Sequence, residues 1–239
     1  MSKQQAQAKI MGLTIHYSLS VPRDSTRAFV RELIKATARQ ARNIGCAHVG
    51  KVLHATETDP AAPVFFDSHP SNERREIGGP GEHGWLVEVW PGKGCETAIF
   101  GICVQRRRIP PKKGEPSWRA RRRIRLGVDT FCKTQYAGEQ DWEHFLKCHL
   151  RVIHLLDFWR AQGGRAKVHD EGGYWKSRSE TKLRRELEDY DRLIAALGGR
   201  FKDACDSAGN GWSVESPIYN YANFERLEQE GQEKFGGRI

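Results

Sequence analysis

Three short segments carry side chains suited to chemistry. His16 sits in the alternating run Ile15-His16-Tyr17-Ser18-Leu19. Lys133 and Gln135 end a second alternating run, and Asp170 and Glu171 stand together before Gly172-Gly173-Tyr174-Trp175. An imidazole, an ammonium, an amide and two carboxylates make a set for acid–base work, with the lysine holding an anionic group of the ligand. Strand periodicity puts Asp129, Phe131, Lys133 and Gln135 on one face, at a strand end where a crevice can form. The carboxylate pair beside a Gly-Gly turn suits an ion or polar ligand under an aromatic wall; the plainer reading is a turn with flanking anchors. If His16, Lys133, Gln135, Asp170 and Glu171 converge, they form one polar pocket, and the chain is an enzyme or a small-ligand binder.

A second feature points elsewhere. Between Arg106 and Arg125 there are ten Lys or Arg and one acid, Glu115, while the whole chain has 39 basic and 30 acidic residues, a net charge of +9. The basicity therefore belongs to this segment, and the rest is neutral overall. Arg106, Arg107, Arg108, Lys112, Lys113, Arg119, Arg121, Arg122 and Arg123, with Trp118 among them, have the composition of a phosphate-backbone contact. Trp118 is suited to stack on a base. The expected partner is nucleic acid or another acidic molecule; the plainer reading is a solvated basic loop.

The elements that position these residues follow from periodicity. Residues 13–20 alternate as a strand, a helix carrying Phe29, Leu33, Ile34, Ala38, Ala41 and Ile44 follows, and Gly45 stops it. Asp24 or Ser25 is the expected N-cap. A strand is expected over 48–55, then a long connection with a short strand near 64–66. Strands at 85–90 and 97–105 form a hairpin. The basic segment, broken by Pro110, Pro111, Gly114 and Pro116, reads mostly as loop, its last arginines entering a strand that runs to residue 136. A helix over 141–159, a strand over 166–170 and a helix with Leu183, Leu187, Tyr190, Ile194 and Leu197 complete the order, with Ser177 and Glu180 at capping-box spacing.

The strand–helix–strand pattern thus occurs twice. The expected fold is α+β: a mixed β-sheet with helices mainly on one face, two β-α-β units joined by a β-hairpin, an enlarged ferredoxin-like arrangement. Residues 1–11 read as a flexible leader, 12–205 as one domain with the basic loop 106–125, and 206–239 as a polar tail.

Other classes are disfavoured. There is no run of 18 apolar residues and no secretory leader, so no membrane partner and a cytoplasmic location are expected. The six cysteines show no C-x-x-C and read as free thiols. His144, His149 and His154 lack the spacing of a zinc helix, and no P-loop or Rossmann fingerprint is present. No metal or cofactor is expected.

Two resemblances bear on these segments. Ile15-His16-Tyr17-Ser18-Leu19 is similar to the strand element of the 2H phosphoesterases, in which two such strands bring two imidazoles to a phosphodiester. The second copy, Leu53-His54-Ala55-Thr56, is broken by Glu57 and lies closer in sequence than that family's spacing, so a chance match is the better reading. Thr14-Ile15-His16-Tyr17, Lys133-Thr134-Gln135-Tyr136-Ala137 and Asp170-Glu171-Gly172-Gly173-Tyr174-Trp175 together resemble a set of uncharacterised bacterial proteins. That resemblance implies no activity; it ties the three segments to one site.

Overall fold

The computed structural model describes residues 13–55, 65–66, 76–77, 84–109, 121–208 and 216–236. The elements in order are β1 (Thr14–Ser20), α1 (Arg27–Asn43), β2 (His48–Val49), β3 (Leu53–Ala55), β4 (Phe65–Phe66), β5 (Glu76–Ile77), β6 (Gly84–Trp90), β7 (Ala98–Ile109) and β8 (Arg121–Lys133). A 3-10 turn (Gln135–Glu139) follows, then α2 (Trp142–Ala161), β9 (Arg165–Asp170), α3 (Tyr174–Ser177), α4 (Glu180–Ala208), a second 3-10 turn (Pro217–Asn220) and α5 (Phe224–Phe235).

Seven strands form one sheet in the order β2-β6-β7-β8-β1-β9, with β3 also on β6; β4 and β5 form a separate pair. Every one of these pairs is antiparallel. Direction therefore alternates: β1 and β7 run the same way with β8 between them, and β8 and β9 run the same way with β1 between them. The two interlocked crossovers are β1-α1-β7 and β8-α2-β9, joined by the β7–β8 hairpin, and this is the ferredoxin-like core. The sheet is antiparallel rather than mixed because the crossovers set same-direction strands two apart. The first unit does not close at 48–55: those residues make only the short β2 and β3, which pair with β6 at the far edge as the enlargement.

The core explains the layering. Ile15, Tyr17 and Leu19 of β1, Val87 and Val89 of β6, Ala98, Phe100 and Ile102 of β7, and Val128 and Cys132 of β8 face one side. Val30, Leu33, Ile34, Ala38 and Ala41 of α1 and Val152, Ile153, Leu155, Leu156 and Trp159 of α2 cover them. Such burial stabilises by roughly 25 cal/mol for each Å² of apolar surface removed from water. Helix α1 starts at Thr26, whose side chain accepts the Phe29 N–H at 3.1 Å, rather than at Asp24 or Ser25. It ends where Gly45 adopts φ 74° and the Cys46 N–H reaches the Ala41 carbonyl at 3.0 Å.

A second buried cluster, Leu13, Ala137, Phe145, Cys148, Leu183 and Leu187, docks α4 against the 3-10 turn and the start of α2. The hydroxyl of Ser179 accepts the Lys182 N–H at 3.2 Å, so Ser179 rather than Ser177 caps this helix. α4 continues past residue 205, and α5 folds back along it. Arg192 meets Glu230 at 2.6 Å, and Gly231 lies where a Cβ would collide with the Arg192 backbone. No described helix is long and apolar enough to cross a membrane.

Sheet pairing has a gap that matters for the site. β7 pairs with β6 from Ala98 to Cys103 but with β8 only from Cys103 to Ile109. Below that point β8 turns to β1 instead. The backbone of Ile99 is left facing the gap, and the Tyr17 hydroxyl fills it, donating to the Ile99 carbonyl at 3.1 Å and accepting the Ile99 N–H at 3.0 Å. Burial, the largest influence, raises the Tyr17 hydroxyl well above its ordinary range, so it stays protonated and able to donate.

Candidate functional site

The basic segment is strand at both ends: its last arginines enter β8 as expected, and its first three belong to β7 where loop was expected. Arg106–Arg108 belong to β7, which stops at Ile109 immediately before Pro110-Pro111, residues that cannot donate to a ladder. Arg121, Arg122, Arg123 and Arg125 belong to β8. Their register is Gln105↔Arg125, Arg106↔Ile124, Arg107↔Arg123, Arg108↔Arg122 and Ile109↔Arg121. Because β1 ends opposite Gly127 and β6 begins opposite Cys103, these pairs form a two-stranded ribbon beyond the body of the sheet. At about 3.4 Å per residue, six residues of each strand extend roughly 20 Å. Lys112, Lys113, Trp118 and Arg119 lie outside the described residues.

Strand alternation then divides the positions between two faces. By parity, positions 107, 121, 123 and 125 correspond to those of Asp129, Phe131 and Lys133, whose face is opposite to α1 and α2. On the neighbouring strands the same face carries His16, Ser18 and Ser20 of β1 and Arg165, Lys167 and His169 of β9. The rows across the sheet are Phe131–His16–His169, Asp129–Ser18–Lys167 and Gly127–Ser20–Arg165. The His16 ring lies 5.9 Å from Phe131 and 6.0 Å from His169, stacked on the latter at 28°. Arg165, Lys167 and His169 are exposed, while His16 and Phe131 are half-buried.

The five residues of the expected pocket do not meet at one point. His16 and Glu171 do: Glu171 Oε2 accepts the Thr14 N–H at 2.9 Å and its Oε1 lies 3.5 Å from His16 Nε2. Lys133 shares the His16 face, but its ammonium is engaged by Tyr136, 3.3 Å from the hydroxyl and 4.7 Å from the ring centre. Gln135 follows the end of β8 in the 3-10 turn, so strand alternation no longer governs it. It is buried, accepting the Leu13 N–H at 3.3 Å and pointing its amide nitrogen at Asp191 Oδ1, 3.5 Å away. Asp170 turns inward, to the helical side of the sheet.

That inward turn builds a buried polar chain. Asp170 Oδ1 lies 3.5 Å from His149 Nε2, and His149 Nδ1 is 2.9 Å from the Thr134 hydroxyl. Thr134 and His149 are both fully buried. Thr134 and His149 Nδ1 satisfy each other, while Nε2 faces the Asp170 carboxylate at 3.5 Å without a formed hydrogen bond. Asp170 also accepts the N–H groups of Gly172 at 2.9 Å and Trp175 at 2.7 Å, fixing the turn into α3. Burial alone would raise the Asp170 carboxyl, but His149 and those two N–H groups outweigh it and hold the carboxyl below its ordinary value. Trp175 packs under the Arg178 guanidinium, 4.7 Å from the ring centre. Asp170 and the Gly-Gly pair are therefore structural anchors of a turn.

A thiol cluster sits under the turn after β6. Cys148 Sγ lies 3.6 Å from His144 Nε2, one helical turn earlier on α2. The hydrogen bond with Cys95, followed by His144 and Arg151, lowers Cys148 below its ordinary value against the opposing effect of burial. Cys148 has no exposure, and Gly92 lies where a Cβ would collide with its sulfur. Among the described residues no group of three metal-binding side chains converges. A cavity of about 610 Å³ lies at the start of β9, lined by Asp157, Arg160, Ala161, Gly164, Arg165 and Ala166.

The sequence pattern missed His149 as the partner of Asp170, because neither periodicity nor spacing links a helix interior to a strand end. It also missed His169, Lys167 and Arg165 as one face, although the alternation of Arg165-Ala166-Lys167-Val168-His169 carries that signal. No family model, curated protein or solved structure matches the chain.

Proposed function

We propose that the chain binds nucleic acid, with the arginines of the β7–β8 ribbon contacting phosphates. The observation that supports this is the register, which sets Arg107 opposite Arg123 and Arg108 opposite Arg122. Like charges directly opposite on a ladder destabilise it. A strand pair with no electrostatic purpose has no reason to carry two such pairs in succession. Successive pairs alternate in face, so a polyanion lying along the face of the Arg107–Arg123 pair turns the repulsion of that pair into attraction and releases counterions as it binds. The pocket reading lacks comparable support, since Lys133, Gln135 and Asp170 are each engaged by other groups.

The test is anisotropy of fluorescein-labelled 20-mer oligonucleotides against salt, for the parent and for Arg107→Gln with Arg123→Gln. Removing two phosphate contacts should lower the slope of log K against log salt by about 1.4–1.8. An unchanged affinity and slope rejects the proposal. So does a parent that binds no oligonucleotide at 50 mM salt.

A further inference from the structure

We infer that the nucleic acid is single-stranded and that its bases lie on the open face of β8-β1-β9, against the row Phe131–His16–His169. The inference rests on the proposed function and specifies its substrate class.

The three rings are direct cross-strand neighbours, at 5.9 and 6.0 Å centre to centre, on a face that no described helix covers. His16 and Phe131 remain partly exposed and His169 exposed, so the row presents ring surface to solvent. Bases splayed from a single strand stack on such rings, whereas a duplex keeps its bases inside and offers only its backbone there. Charge on the same face suits the backbone of that strand. Lys167 and Arg165 occupy β9 in the next two rows toward the ribbon, and both are exposed. Beyond them the face continues through the positions of Arg125, Arg123 and Arg121. Two carboxylates stand at these rows: Asp129, beside Ser18 and one row from the rings, and Glu171, whose Oε1 lies 3.5 Å from Nε2 of the middle ring. From Phe131 to Arg121 the strand runs ten residues, roughly 34 Å, long enough for a site within the range of about 4–16 nucleotides. Rings at one end and arginines at the other give the two halves of a single-strand site, stacking and phosphate contact.

Labelled dT 20-mer, U 20-mer and a 20-base-pair duplex distinguish the possibilities by anisotropy at fixed salt, with thermal melting as the check on folding. Either single strand should bind at least tenfold more tightly than the duplex. Phe131→Leu and His169→Ala should each weaken single-strand binding by roughly 5- to 150-fold and leave duplex binding unchanged. His169→Phe should retain the parent affinity, which a merely structural loss would not allow. If Phe131→Leu and His169→Ala bind single strands like the parent while the Arg107/Arg123 variant loses affinity and salt slope, the inference falls and the proposed function stands. If the Arg107/Arg123 variant also binds like the parent, both fall. Duplex bound as tightly as single strand overturns the inference as well.

Discussion

Replacing Asp191 by Asn should stabilise this protein at neutral pH and leave it nearly unchanged in acid. Asp191 lies on α4 in the interface with the 3-10 turn, 9% exposed, and Gln135 Nε2 at 3.5 Å is its partner across that interface. Arg192 and Glu188 are its charged neighbours on the helix, and the Tyr221 hydroxyl faces it from the segment before α5. Burial raises the carboxyl more than the Gln135 hydrogen bond and the Arg192 charge lower it, to about 7 from an ordinary 3.8. Between those values the folded chain holds a proton that the unfolded chain has released, so stability falls as pH rises. The slope is roughly 1.4 kcal/mol per pH unit, and the loss accumulates to about 4 kcal/mol between pH 4 and 7. Asn keeps the shape and carries no charge at any pH. Urea denaturation at pH 4 should give similar stabilities for the two chains. At pH 8 the Asn variant should be the more stable by roughly 3–4 kcal/mol. Parallel pH profiles, or an Asn variant weaker at pH 8, would refute the assignment of Asp191 as a buried carboxyl that ionises at a cost.

Two further substitutions test the polar groups that hold the sheet. Tyr17→Phe strips both partners from the Ile99 backbone, so the urea midpoint should fall by the equivalent of about 2–4 kcal/mol with an unchanged m-value; a loss under about 0.5 kcal/mol would mean the gap closes without the hydroxyl. Asp170→Asn removes the carboxylate that accepts the Gly172 and Trp175 N–H groups and faces His149, at a cost of about 1–3 kcal/mol at neutral pH by urea denaturation. The Asp170 carboxyl is held below its ordinary value, so its stabilisation is present above that value and is lost as pH falls through the lower one. The Asn variant should therefore lack part of the parent's acid-side loss, and identical acid limbs would refute the point.

Much of the fold is legible from local pattern. The alternation of Leu13, Ile15, Tyr17 and Leu19 against His16 and Ser18 marks both faces of β1, and the apolar stripes of α1 and α2 mark the layer above it. What local pattern does not carry is partnership between strands. Residues 48–55 have the composition of a strand, yet nothing in them tells that they pair with β6 instead of β1. The same limit governed the site. Gln135 shares the parity of Lys133, but β8 stops at Lys133 and the chain enters a 3-10 turn, which rotates the amide inward. Asp170 shares the parity of Ala166 and Val168, which face the helices, so its inward turn was legible in principle; its histidine partner, 21 residues earlier on α2, was not. The basic run misled through its prolines, which sit between the arginines of β7 and those of β8 and end a strand without making the whole segment a loop.

The gap bridged by Tyr17 divides the sheet into two panels. One holds β6 and β7 with the short edge strands, and α1 packs on it; the other holds β8, β1 and β9, and α2 packs on β9. Among the described residues the panels are held together within the sheet by the Tyr17 hydroxyl, by Glu96, which bonds the Lys133 backbone at 2.9 and 3.1 Å and the Cys132 thiol at 3.2 Å, and by the ladder of the ribbon itself. The arginine ribbon is thus the spine along which both panels are bound, and a load placed on it is shared by both.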